Sequence, residues 1–543
     1  MVSTRHNRDA AGCTWGRLTG IEGNRIVATI HDRRRSRRSD RSPSSAGQEE
    51  QSAMTQSPTN RPKTKGIQSA VSRRSILKAA TGAAAGFYAF GLPGKSYQRA
   101  LAQDDIRQQL LATNDPEEAG QIALRTQVAE GAFQGQTVRF QGLSNANFHV
   151  NVFRPLARAW EEHTGATVEW IEVTQADSYP KMFQAISSDT VNFDILEASG
   201  GWEGDLLGGG HCLPMPDTVR NDPGYAFDDI VPYLQEPTRT WEGVLYGASI
   251  DGDMHHFNFR KDVFADQDLG AEWSSSGGEG EWGPPTTWQQ VQAMSEFLSG
   301  KEFEGAPLYG QLDSFRVDNT SQYFFHSRAS AYGKHPDDPA FLFDLDMTPR
   351  INSPAFVRAL EDMIAGLEWA PPDQQNADLL QNLGLFLAGT GTMCHWWADV
   401  GSNVYTNDQS IVQGKVGYSI LPGSPDVYNH ATKAWDNLPE PNAAPYLAFL
   451  GWGLYVMKVA ETEGVVDAAW DLISHLSGKD ISAWMSVYPS GMNPWRESHF
   501  EAAEWEVSGF PVAEAEEYLN SIRDSYNHPN RIVDLRIPGV GQY

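Results

Sequence analysis

The segment MCHWWADVG, residues 393–401, sets two adjacent indoles just ahead of a carboxylate. An indole offers a flat apolar face, and a carboxylate accepts hydrogen bonds from hydroxyls. Together they suit the holding of a hydrated, ring-bearing solute, whose stripped hydroxyls each need a new partner. Successive side chains of a strand alternate between faces. One of Trp396 and Trp397 is therefore expected to meet a ligand while the other is buried, and Asp399 either bonds hydroxyls or caps the next helix. Asn145 ends, and Asn147 follows, the strand-like run TVRFQGLSN (137–145). Trp202 lies in SGGWEGD (199–205), where glycines permit close backbone approach to a bound molecule.

Bond-breaking chemistry is poorly represented. If extended, His255 and His256 point to opposite faces and cannot share one ion. Cys394-His395 has no second ligand pair at a zinc-site spacing, so no metal and no cofactor is expected. The chain contains neither G-x-S-x-G nor H-E-x-x-H. A glycosidase needs two carboxylates at a set separation, and acids are too abundant here for any pair to stand out. GLPGKS (91–96) fails as a phosphate loop, because the glycine required at 89 is Ala89. A binding protein is expected, not an enzyme.

Such residues need elements to aim them. The strand-like runs TVRFQGLSN, TVEWIEV (167–173) and NFDILEAS (192–199) alternate with amphipathic segments. Phe148, Val152, Leu156 and Trp160 recur at helical spacing, with Gly165 as the stop and Pro155 kinking or delaying the helix. Tyr179, Met182, Phe183 and Ile186 mark a second helix. This alternation predicts an α/β fold with a mostly parallel sheet and helices on both faces. Ligands of such sheets sit beyond the carboxyl ends of the strands, which selects the loops named above. Further on, Trp288, Val291, Met294 and Leu298 form one helical face after a Pro/Thr start. Ser353-Pro354 opens a helix with an expected buried stripe of Phe356, Val357, Leu360, Met363, Ile364 and Leu367. Val465, Ala469, Leu472, Ile473 and Leu476 mark a late helix ended by Gly478. AEWSSSGGEGEWG (271–283) reads as a surface loop, and 103–135 as a helix followed by a loose lead-in.

Two segments precede this body. Residues 1–71 contain RRRSRR (33–38) and no apolar periodicity, so they are expected to be disordered or a mis-annotated extension, with Met54 as the true start. Within 72–102, the apolar run from Ala79 to Leu92 falls short of the roughly 20 residues that cross a bilayer. Ser72-Arg73-Arg74-Ser75-Ile76-Leu77-Lys78 resembles a twin-arginine export signal, and Ala100-Leu101-Ala102 an A-x-A cleavage site. The resemblance implies export by the twin-arginine translocase and a periplasmic protein cut near Ala102. Of 42 Lys+Arg and 69 Asp+Glu, residues 1–102 hold 18 and 6. The other 441 residues thus carry 24 basic and 63 acidic groups, a formal charge of −39. That surface repels nucleic acid and anionic lipid. Cys212 and Cys394 are the cysteines that remain.

In order, the segments of 137–500 resemble the extracellular solute-binding proteins of ABC importers, the sugar-binding group that includes maltose-binding protein. FRPLARAWEEHTGATVEWIEV (153–173) resembles the family's helix, Thr-Gly turn and strand. WEGVLYGASIDGD (241–253) resembles its crossing segment. FNFRKDVFADQDLG (257–270) with PPTTW (284–288) resembles its signature that ends in Pro-x-Thr-Trp. GLFLAGTGTMCHWWADVGS (384–402), KVGYSILPG (415–423), GWGLYVMK (451–458), AAWDLISHLSG (468–478) and YPSGMNPWRES (488–498) follow in family order. The resemblance implies a two-lobed, hinged periplasmic-binding fold of the second type. Residues 103–250 plus 423–480 would form one lobe and 251–422 plus 481–543 the other, closing on ligand between them. It places Cys212 and Cys394 in different lobes, against a disulfide, and implies a monomer that hands its solute to a membrane permease. It adds Asp251 and Asp253 after the crossing segment, and Trp452 in the glycine-rich loop at the cleft wall. Trp435 lies in a less alignable insertion and is a further candidate. The alternatives are the same fold binding a polyamine or ferric ion, a sensory receptor, or a secreted carbohydrate-active enzyme.

Overall fold

Val138 and Phe140, the apolar pair that marks the first strand, are fully buried on β1 (Thr137–Asn145). The computed structural model describes residues 106–145, 148–235, 238–278, 280–316, 320–488 and 491–539. The export signal, its cleavage site and Met54 lie outside them. In chain order the elements that matter are β1, α1 (Val150–Thr164), β2 (Thr167–Val173), α2 (Gln175–Ser187), β3 (Ile195–Ser199), β4 (Gly247–Ser249) and β5 (His255–Arg260). Then come α3 (Trp288–Leu298), β6 (Tyr309–Leu312), α4 (Ser321–Gly333), α5 (Pro354–Gly366), α6 (Leu379–Leu387) and β7 (Gly391–Trp397). The last are β8 (Val416–Ser419), the hairpin β9 (Ser424–Asn429) and β10 (Ala434–Asn442), β11 (Trp452–Val456), α7 (Val466–Leu476) and α8 (Val512–Asn527).

These build two sheets. In the first, β1 runs parallel to β2 and β3, while β11 lies antiparallel to both β3 and β4. In the second, β6 is parallel to β7, and β5 is antiparallel to β7 and β8. The fold is α/β as expected, but the sheets are mixed rather than mostly parallel. Each sheet is joined by strands that arrive through a crossing from the other sheet's side, and these enter in the opposite sense.

Helix α1 buries Val152, Phe153, Leu156 and Trp160, tolerates Pro155 in its interior, and ends at Gly165 with φ +72°. Phe148 belongs instead to the short strand Phe148–His149 paired with β1, so the helix starts later than the four-residue spacing suggests. The Trp160 indole donates to Asp471 on α7 at 2.8 Å. Helix α3 opens with a capping box between Thr287 and Gln290 and buries the four predicted residues.

On α5 the buried face is Ala355, Phe356, Ala359 and Met363, whereas Val357, Leu360 and Ile364 are about half exposed. The small side chains decide it. A Cβ on Gly333 of α4 would lie 3.2 Å from that of Ala355, so the two helices meet through their smallest residues. The Gly/Ser stretch is also more ordered than predicted: Gln267–Ser275 is helical, and Trp273 is buried against Trp282 and Phe297. Cys212 and Cys394 are buried free thiols; Cys212 bridges to Met457 at the end of β11, and Cys394 lies in β7.

Candidate functional site

A cavity of about 280 Å³ opens at the carboxyl end of β7. It lies where the crossing segment, the residue after Phe148 and the start of β11 converge. Its lining includes His149 and Trp452 from the first sheet, Asp251 and Asp253 from the crossing, and Trp396, Trp397 and Asp399 from the second.

The first wall is built on a tight contact. His149 holds φ +54°, a conformation costly for a side chain with a Cβ. Its ring is fixed by a hydrogen bond to the buried Glu197 carboxylate, which also accepts from the Leu143 amide at 2.9 Å. Gly142 makes room for this, since a Cβ there would lie 2.6 Å from Glu197 Oε2. Trp452 packs edge-on against His149, with ring centroids 5.5 Å apart, and against Trp202 at 5.4 Å. Gly451, at φ +65°, precedes it because a Cβ would meet the Asp251 carbonyl at 2.2 Å.

Asn493 organises the floor. Its backbone N–H and Nδ2 donate to Asp251 Oδ1 at 2.7 and 3.0 Å, and Nδ2 donates also to Asp253 Oδ1 at 2.8 Å. Tyr526 clamps the same crossing from behind, donating to the Gly252 and Pro494 carbonyls. On the opposite wall Asp399 accepts from Asn403 Nδ2 at 3.1 Å and bonds the Trp396 side chain. Trp397 stands edge-on to His255 at 4.3 Å, with Leu379, Leu380 and Leu383 of α6 beside the cavity. Arg316, ion-paired to Asp378 at 3.0 Å, marks its rim.

Burial raises all three aspartates. It pushes Asp251 up to about 6 and Asp399 up to about 8, the latter reinforced by the nearby Asp251 charge. Asp253 moves well above the usual carboxylate range, through burial and then repulsion from Asp251 and Asp399. For His149, burial opposes the charged imidazole, but Glu197, Asp251 and Asp399 outweigh it and the net shift is upward.

Among the residues singled out by sequence, Asp251, Asp253, Trp396, Trp397, Asp399 and Trp452 converge on the cavity. Both tryptophans of the pair border it, because the cavity lies off the end of β7 rather than on one face of it. Trp202 is instead a buried backing for Trp452. Trp435 sits on the β9–β10 hairpin, packed on Tyr428 and beneath the Arg358 guanidinium, away from the cavity lining. Its partners are the hairpin's own strands and α4–α5, so it clasps those elements. Asn145 closes β1, and Asn147 lies outside the described residues. Sequence reasoning missed His149, Arg316, Asn493 and the α6 leucines. The histidine carries no local signal, since its role depends on a backbone angle and on Glu197, 48 positions away. His255 and His256 do point apart, to Ser327 and Ser521, and no cluster of three metal-ligating side chains occurs among the described residues.

A two-sheet α/β body with a solute-sized cleft at the crossing defines a class of ligand-binding proteins. The chain belongs to the bacterial extracellular solute-binding protein family, whose model matches residues 149–482. That family consists of ligand-binding components of transporters, not enzymes. A probable amino-acid ABC transporter periplasmic-binding protein of Sinorhizobium fredii, y4oP, is 21% identical over 343 residues, 62% of this chain and 69% of that one. Among solved structures, an ABC transporter solute-binding protein of Agrobacterium vitis with bound D-mannitol superposes with TM-score 0.55 at 18% identity. The match covers 72% of this chain and 84% of that one. Maltose-bound MalE3 of T. maritima gives TM-score 0.54 at 15% identity over 74% and 90%. No helix among the described residues is long and apolar enough to cross a membrane.

Proposed function

We propose that this protein captures a carbohydrate or related polyol in the cleft between its sheets and delivers it, outside the cytoplasmic membrane, to an ABC permease. The observation that carries this reading is the convergence of indoles and carboxylates on one cavity: Trp452, Trp396 and Trp397 with Asp251, Asp253 and Asp399. Rings supply apolar faces and carboxylates supply acceptors, on two bodies able to close as a hinge. The bound D-mannitol and maltose of the two structural relatives agree with it. We place the lobes at 103–250 plus 423–480 and at 251–422 plus 481–543. The β9–β10 hairpin, within 423–480, packs on α4 and α5.

A thermal-shift screen of neutral sugars and polyols tests the reading, because a ligand at 100 times its dissociation constant adds about 2.7 kcal/mol. Trp396→Ala and Trp397→Ala are each expected to weaken binding of the hit by about 1–3 kcal/mol. Unchanged affinity in both, measured by calorimetry, would remove the stacking role. For export, we assign Arg73-Arg74 as a twin-arginine signal with cleavage near Ala102. Replacing both by lysine is expected to leave unprocessed precursor in the cytoplasm, and mature periplasmic protein from that variant would refute the assignment.

A further inference from the structure

Three carboxylates line this cleft without a cation of their own. Asp251 and Asp253 are 1% and 4% exposed, and apart from each other their side-chain partner is the neutral Asn493. Asp399, 8% exposed, is bonded by Asn403 and Trp396, also neutral. Of the cations that border the cavity, Arg316 pairs with Asp378, and His149 is bonded to Glu197 and shares its charge with Asp251 and Asp399 only through space. Asp253 Oδ2 is buried and receives no N–H or hydroxyl donor. The Asp251 carboxyl also hydrogen-bonds that of Asp253 and opposes its ionisation.

A neutral solute can bond these oxygens but leaves their charge uncompensated, or leaves them protonated. An ammonium group does both jobs: it donates up to three hydrogen bonds and neutralises the charge. The indoles of Trp396, Trp397 and Trp452 on the same cavity present the electron-rich faces that attract cations. We propose that the cleft is an ammonium seat, with the paired Asp251 and Asp253 carboxyl groups and Asp399 as its acceptors, and that the solute is an amine-bearing sugar or polyol rather than a neutral one. This rests on the cleft being the solute site and deepens that reading.

Calorimetry at pH 7 with matched pairs tests it: glucosamine against glucose, and N-methylglucamine against sorbitol, with spermidine as a cation lacking hydroxyls. At least one amine is expected to bind ten-fold or more tightly than its neutral parent. In Asp253→Asn, which keeps the shape of the side chain, that ratio is expected to fall towards one. A neutral parent binding as well as or better than its amine overturns the ammonium seat and leaves the sugar reading standing. Spermidine alone binding keeps the seat and overturns the hydroxylated solute. Failure of every probe to bind below about 10 mM, a free energy of only ~3 kcal/mol, overturns both.

Discussion

Arg239→Met is expected to destabilise the protein by about 3 kcal/mol, the lower end of the scale found when one partner of a buried ion pair is removed, because Glu203 keeps Arg536. Arg239 is 1% exposed and Glu203 fully buried. The guanidinium donates to Glu203 at 2.9 Å, to the Tyr455 hydroxyl at 3.0 Å and to the Leu450 carbonyl at 3.1 Å. Its backbone N–H also meets Glu203, at 2.8 Å. Glycines make the channel it threads: a Cβ on Gly453 would come within 2.6 Å of Nε, and one on Gly200 within 3.0 Å of Nη1. One arginine thus ties β11, the turn after β3 and the segment before β4 into a single unit. Methionine fills the volume but leaves Glu203 with Tyr455 and Arg536 as its remaining partners. Arg239→Lys keeps the charge and loses the fork, so it is expected to fall between the two. Urea denaturation monitored by far-UV circular dichroism checks this. A loss below ~1 kcal/mol in the methionine variant would show that the network contributes little.

The second large effect concerns pH. The Asp399 carboxyl, ordinarily near 3.8, is pushed up to about 8 by burial and by Asp251. The folded state therefore holds this proton more tightly than the unfolded chain. Stability from this group is fully present below 3.8, is lost as pH rises towards about 8, and does not fall further above that. Every tenfold gain in proton affinity on folding is worth about 1.4 kcal/mol, so charging Asp399 in the empty cleft costs on the order of 3 kcal/mol or more at pH 8. Asp399→Asn retains a carbonyl acceptor for Asn403 and cannot ionise. The variant is expected to be the more stable protein at pH 8, to match wild type near pH 4, and to show a flatter pH profile between. Paired thermal melts without ligand across that range decide it. Parallel profiles for the two proteins would mean that Asp399 ionises freely in the folded state. The same charge that destabilises the empty cleft becomes favourable once a cation neutralises it, which links this measurement to the matched-pair titrations.

Several features are legible in the chain because they depend on neighbours a few residues away. The Pro/Thr start of α3, the stop at Gly165 and the buried residues of α3, α7 and, after Phe148, α1 are local, and they appear where the pattern puts them. The α5 stripe departs from its pattern because periodicity ranks residues by apolarity. Packing ranks them by size, and Ala355 and Ala359 take the close contact with α4 over Val357, Leu360 and Ile364. The site divides in the same way. Trp396-Trp397-Asp399 marks a binding surface by composition. That Trp202 backs Trp452, while Trp435 clasps a hairpin, follows from contacts across strands that no spacing records.

By itself the sequence determined the family, the α/β class and the kinds of side chain that would meet a solute, since these follow from residue type and order along the chain. Only the tertiary structure decided that both indoles of the pair face the cavity and that His149 joins them. It also decided that three aspartates share one desolvated space in which the nearest cation, His149, is already bonded to Glu197. The reason is physical. Burial and charge compensation are properties of all the groups brought around a point, and those groups come from positions hundreds of residues apart, from His149 to Asn493.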